Sequence, residues 1–156
     1  MINKRLKEFL DKKGISYTML QHEEAFTAQE IAALSHTPGK ERVKVVILIS
    51  DERYFMVALP ASYRIDLEKL KGILKVENLR LSTEEEFGKL FPDCEIGAMP
   101  PFGNLYDIDT YVDETLSECE TIVFLAGSHK ESIKMGYKDY TEAVRPKMAQ
   151  FAVKLH

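Results

Sequence analysis

Three short segments hold the residue types best suited to chemistry. The first is Lys44, at the head of the apolar run Val43-Lys44-Val45-Val46-Ile47-Leu48-Ile49. The second is Gly97-Ala98-Met99-Pro100-Pro101-Phe102-Gly103, where two prolines fix the backbone, an aromatic follows and a glycine closes each end. Proline locks φ and removes a donor, and glycine permits angles and close approaches that a side chain blocks. So stiff a loop suits one wall of a pocket. The third is Ala126-Gly127-Ser128-His129, delivered by the apolar strand Thr121-Ile122-Val123-Phe124-Leu125. Together they suggest a small-molecule or nucleotide-end site.

Each segment also has a plainer reading. Strand alternation puts Lys44 on one face with Val46, Leu48 and Ser50. A buried ammonium is costly unless compensated. The lysine therefore snorkels to solvent, pairs with an acid such as Asp107, Asp109 or Asp113, or meets oxygen atoms of a ligand. At the third segment a glycine lets backbone N–H groups face a ligand, and Ser128 can donate or accept. A Ser128–His129 nucleophile is disfavoured. Neighbours on a strand point to opposite faces, and the Gly-x-Ser-x-Gly elbow is missing. His129 reads as a group that orients a carbonyl, a hydroxyl or a water, or as a solvated loop histidine. His22, His36 and His156 share no metal spacing with one another or with Cys94 and Cys119, so no metal is expected.

The remaining sequence bounds the class. The 156 residues have the length of one domain, expected to span 1–156. A net charge of −4 argues against a broad nucleic-acid-coating surface. It leaves room for local basic clusters: Lys40, Arg42, Lys44, Arg64, Lys69, Lys71, Lys75 and Arg80, then Lys130, Lys134 and Lys138. No apolar run approaches the roughly 20 residues that span a bilayer. The charged start Met1-Ile2-Asn3-Lys4-Arg5 does not read as a signal peptide. Two isolated cysteines fit reduced thiols and a cytoplasmic setting.

The elements that must position these segments are legible in part. Ile2, Leu6, Phe9 and Leu10 predict a helix that Gly14 stops. Ile15–Leu20 alternates as a strand. Thr27-Ala28-Gln29-Glu30 reads as a capping box before a short helix, broken at Thr37-Pro38-Gly39-Lys40. Val43–Ile49 and Tyr54–Leu59 predict a hairpin turned by Asp51-Glu52-Arg53. Asp66 caps a helix to Leu74, and Leu79–Leu81 is a short strand. Ser82-Thr83-Glu84-Glu85 is read as a capping box for a helix to about Leu90. Tyr106–Val112, Thr121–Leu125 and Ser132–Met135 read as strands, with a helix from Asp139 or Thr141 limited by Pro146. Residues 148–156 are left untyped. The sum is a mixed α/β domain around a largely antiparallel, barrel-like sheet.

Taken in order, four segments resemble the YbaK/ProX-type aminoacyl-tRNA deacylases, the synthetase-associated editing domains. They are Val43–Leu48; Leu59-Pro60-Ala61 with Ile65-Asp66-Leu67; Gly97–Gly103; and Ala126–His129 followed by Ile133-Lys134-Met135 and Asp139-Tyr140. The resemblance implies a mixed sheet of six or seven strands surrounded by helices. It implies hydrolysis of the ester between a wrong amino acid and a tRNA 3′ end, with no metal, no other cofactor and no protein nucleophile. The invariant lysine of the family falls on Lys44 and its Gly-Ser segment on Gly127 and Ser128. Its glycine/proline loop falls on Gly97, Pro100, Pro101 and Gly103, with Met99 and Phe102 between them. His129 matches a histidine of one branch, and the late aspartate falls on Asp139. The branch that edits cysteinyl-tRNA has a Gly-Gly-x-Ser-Pro loop, whereas this chain has Met99 and Pro100 there.

The implied partners are a mischarged tRNA and a synthetase or elongation factor that presents it, with no membrane. The amino acid would be small, such as alanine, serine, cysteine or proline. A non-catalytic module that binds an aminoacyl or nucleotide ligand within a larger complex needs the same pocket and stands as the alternative.

Overall fold

Backbone and side chains are described for residues 3–21 and 41–154 in a computed structural model. The expected capping box at Thr27, the break at Thr37–Lys40, His22, His36 and His156 lie outside the described residues.

Helix α1 (Lys4–Lys12) begins at Asn3, whose side-chain oxygen accepts the Leu6 N–H at 3.0 Å. Leu6 and Leu10, one turn apart, are fully buried. The expected strand after Gly14 is shorter than alternation suggested, β1 (Thr18–Gln21). Next comes the hairpin read from sequence, β2 (Val43–Ser50) and β3 (Arg53–Pro60), paired from Val43↔Pro60 to Ser50↔Arg53. Strand β4 (Tyr63–Ile65) leads to α2 (Leu67–Leu74), capped by Asp66 through the Lys69 N–H at 3.1 Å. Strand β5 (Arg80–Leu81) precedes α3 (Glu84–Gly88). The capping box sits one residue later than expected: Thr83 is the cap and Glu86 its partner. Arg80 clasps Glu86 at 2.7 Å and holds that carboxyl down at about 2.

The second half holds β6 (Asp109–Asp113), β7 (Thr121–Ser128), β8 (Glu131–Gly136) and α4 (Tyr137–Val144). Helix α4 starts before the expected Asp139. The untyped tail supplies edge strands, β9 (Lys147–Ala149) and β10 (Ala152–Lys154).

The expected barrel is not what forms. The described strands make sheets of five (β5-β2-β3-β6-β9), three (β1-β8-β7) and two (β10-β4), none of them closed. The largest is mixed rather than largely antiparallel, because β6 runs parallel to β3 and β9 parallel to β6. Closure fails at the outer edge of β2. Its last residues take β5 through Leu48↔Leu81 and Ile49↔Arg80, and among the described residues its pairing with β7 is limited to one parallel bridge, from Arg42 just before the strand to Val123. A register shift in β7 between Leu125 and Ser128 further separates the two sheets.

Beneath the sheet junction lies Asp113, fully buried at the end of β6. Its carboxylate accepts the N–H groups of Thr115, Phe151 and Ala152 and the Thr115 hydroxyl, at 2.6–3.0 Å. Burial alone would raise its pKa, but these four donors outweigh that and lower it. Stability from this group is present above the ordinary carboxylate value and lost as pH falls through the lowered folded value. Asp113→Ala strands buried donors that each cost about 1–3 kcal/mol. We expect a loss of about 3 kcal/mol in urea unfolding at pH 7 and a smaller gap between wild type and variant in acid. An unchanged midpoint would contradict this role.

Candidate active site

Lys44 lies on β2 opposite Leu59, half-buried among apolar neighbours. Burial lowers its pKa. Among the described residues no carboxylate pairs with it. The acids offered by the sequence are otherwise engaged or turned away: Asp109 binds Arg53 at 2.6 Å, Asp113 holds backbone donors, and Asp107 is an exposed turn residue. Counting from the Arg42–Val123 bridge sets Lys44 level with Leu125, where the irregular stretch of β7 that leads to Ser128 begins. The lysine therefore stands alongside the strand that ends in the Gly-Ser segment.

That segment is stitched to one half of the proline loop. Glu95 N–H donates to the Gly127 carbonyl and Gly127 N–H to the Ala98 carbonyl, both at 2.8 Å. His129 N–H donates to Glu95 Oε1 at 2.8 Å, and its ring Nε2 lies 2.7 Å from the Ile96 carbonyl. Gly127 has φ +97°, and a Cβ there would stand 2.7 Å from Asn3 Cβ, so only glycine fits. Asn3 also donates from its backbone to the Ala126 carbonyl at 3.0 Å and from Nδ2 to the Asp93 carbonyl at 2.8 Å. The cap of α1 thus locks both loops. Gly97 lies against the imidazole, where an added Cβ would meet His129 Cε1 at 3.4 Å.

The other half of the loop does different work. Met99, Pro100, Pro101, Phe102 and Gly103 are all buried. Met99 packs with Ile47 and Met56. Phe102 packs its ring against Phe9, Phe124 and Tyr140 at centroid distances of 6.0, 5.5 and 5.4 Å. The Tyr140 hydroxyl donates to the Pro101 carbonyl at 2.7 Å. These contacts belong to the Val43–Val45–Ile47 face of β2, and Lys44 and Val46 face the other way. The stretch that sequence reasoning took for a pocket wall is therefore the backing of the strand. The rim is Glu95–Gly97, with Ile96 about half exposed at 51%.

Two further expectations change, for Gly127 and Asp139, and the Ser128–His129 pair that the sequence disfavours does not form. The Gly127 N–H already serves Ala98, so it is not a free oxyanion donor. Ser128 Oγ accepts the Lys130 N–H at 3.1 Å and also bonds Glu95, whereas His129 is turned to Ile96, so no Ser-His pair forms. Asp139 is exposed in the first turn of α4, beyond the Thr121↔Gly136 end of the β7–β8 hairpin. Seven residues of extended strand, roughly 20 Å, separate that end from Ser128.

Sequence reasoning missed Glu95, Ile96 and Arg42. Glu95 and Ile96 precede a glycine in the stiff loop, which was a usable signal. Arg42 shares the alternation of Lys44. It is 4% exposed, donates from Nη2 to Ser132 Oγ at 2.9 Å, and is lowered by burial to about 10. Cys94 is pushed up to about 11 by burial, which makes it a poor nucleophile. Among the described residues no three His, Cys, Asp or Glu side chains cluster as metal ligands. No helix there is long and apolar enough to cross a membrane.

Comparison with known proteins assigns this open mixed α/β fold to a class, that of small editing domains. Residues 22–143 match the aminoacyl-tRNA editing domain family, and the chain belongs to it. That membership places it in aminoacyl-tRNA editing, the deacylation that serves translation fidelity. The chain is 31% identical over 116 residues to the proline–tRNA ligase of Staphylococcus aureus (strain Newman). The match covers 70% of this chain and 20% of the ligase, so the chain spans about a fifth of that relative. Among solved structures, a candidate trans-editing enzyme for prolyl tRNA synthetase superposes with a TM-score of 0.85 at 20% identity, covering 99% of this chain and 97% of that one. The hypothetical protein APE2540 also superposes at 0.85 and 20% identity, covering 96% and 100%.

Proposed function

We propose that this chain, as one domain, is a trans-editing hydrolase that deacylates mischarged tRNA. The observation that supports this most is Lys44: a half-buried amine without a described counter-ion, on the strand beside the Gly127–His129 turn. An ammonium kept in that state gains most when a ligand supplies oxygen atoms. The tRNA 3′ end carries a phosphate and an ester carbonyl, and Lys44 holds the first or polarises the second. An aminoacyl ester is already labile, so a modest catalyst suffices, and the attacking group is water or a ribose hydroxyl of the substrate.

In this reading Gly127, Ser128, His129 and Gly97 form the reacting edge, and Met99, Pro100, Pro101, Phe102 and Gly103 hold the framework behind β2. A small pocket that excludes larger, correct amino acids uses the roughly 1–3 kcal/mol per methylene that such discrimination offers. The net charge of −4 suits a substrate handed over by a synthetase or elongation factor.

The experiment is a deacylation panel of tRNAs charged with alanine, serine, cysteine and proline. We expect turnover of one or two mischarged species. Intact ester on all four, with folded protein, would reject the enzyme and favour the non-catalytic binding module.

A further inference from the structure

We propose that His129 is the proton acceptor of this site, acting through Nδ1, and that Glu95 is the positioning residue that keeps it there. The inference rests on the deacylase reading and extends it. A backbone carbonyl can only accept, so the 2.7 Å contact with the Ile96 oxygen requires the proton of a neutral imidazole to sit on Nε2. The lone pair then resides on Nδ1. Among the described residues no donor reaches that atom. Gly97 offers no side chain, and a Cβ placed there would come within 4 Å of Cε1 and Nε2 alone.

Glu95 fixes the backbone of the same residue. Its Oε1 takes the His129 N–H at 2.8 Å, its carboxylate bonds Ser128, and its own N–H holds the Gly127 carbonyl. Among the described residues, the charges acting on Glu95 at this corner are those of His129 itself and of Lys130 in the β7–β8 turn. Ring and main chain of His129 are thus both tied to Glu95–Ile96.

The chemistry balances with water alone. Nδ1 takes a proton from a water whose oxygen adds to the ester carbonyl. The tetrahedral intermediate collapses, the bond between carbonyl carbon and ribose oxygen breaks, and the proton on Nδ1 passes to that oxygen. One water is consumed, and a free amino acid and a tRNA hydroxyl are released.

Two substitutions separate catalysis from support. His129→Gln keeps an amide nitrogen where Nε2 donates to Ile96 but has nothing at the Nδ1 position. We expect wild-type melting and an unchanged KM, with kcat on alanyl-tRNA down roughly 100-fold. Glu95→Ala should lower kcat roughly 10-fold through misplacement, and Glu95→Gln, which keeps the acceptor, should restore it. Long-range proton–nitrogen spectra of the wild type should show Nε2 protonated and Nδ1 bare. A proton on Nδ1 in the neutral ring, or wild-type kcat in His129→Gln, overturns the proposal while leaving the deacylase standing. No turnover by the wild type on any charged tRNA overturns both.

Discussion

Lys44→Ala is expected to lower deacylation at least 100-fold and to leave the protein as stable as wild type or slightly more so. The two effects have one cause. Lys44 is half-buried on an apolar strand with its pKa lowered by burial, and no described acid offsets that cost. A group in this state does not hold the fold together, so its removal releases strain rather than a bond. Removing a single well-placed donor to developing charge typically costs 10²–10³ in rate, roughly 3–4 kcal/mol. Lys44→Arg should recover only part of the rate, because a planar fork does not replace a compact ammonium.

The same lysine has a pH signature. Its folded pKa lies below the ordinary 10.5. Between those two values the unfolded chain binds more protons than the folded one, so wild-type stability rises with pH there. Lys44→Ala should lack that rise in urea titrations at alkaline pH. A variant that keeps its rate, or one that unfolds at room temperature, would remove Lys44 from the site.

A stability loss as large as that of Asp113→Ala is expected from Gly103→Ala. A methyl there would overlap Thr110 Oγ1 and the Ile108 carbonyl, and the latter is backbone that cannot swing aside. The Gly103 carbonyl also accepts N–H groups from Tyr106 and Ile108 at 2.9 and 3.0 Å, which turns the chain into β6. Overpacking of this kind costs about 3 kcal/mol. At a temperature where the variant stays folded, its kcat/KM should remain close to wild type, because the contacts of Gly103 lie behind β2. Full stability combined with lost activity would return Gly103 to the substrate pocket.

Local chemistry was legible in the residues wherever one element decided it. Asp66 as a cap, the β2–β3 hairpin and the short β5 follow from propensity and alternation over a few residues. What the sequence concealed depended on partners far along the chain. The buried loop half Met99–Gly103 has the composition of a pocket wall, yet Tyr140 and Phe124, more than 20 residues away, claim it for the core. The parallel pairing of β6 with β3 leaves no local mark, since the intervening segments carry ordinary helix and turn signals. Gly127 looked like a free oxyanion donor because nothing nearby in sequence announces Ala98 as its acceptor. Lys44 stands out in the sequence because an ammonium within an apolar run is unusual whichever partners surround it.

The most direct test of the central claim is a single-turnover assay with protein in excess over tRNA charged with alanine, following ester hydrolysis and tRNA binding in the same samples. The account predicts exponential release of free alanine by the wild type and retained binding with at least 100-fold slower release by Lys44→Ala. Tight binding by the wild type with the ester intact throughout would contradict it and leave a binding module in its place.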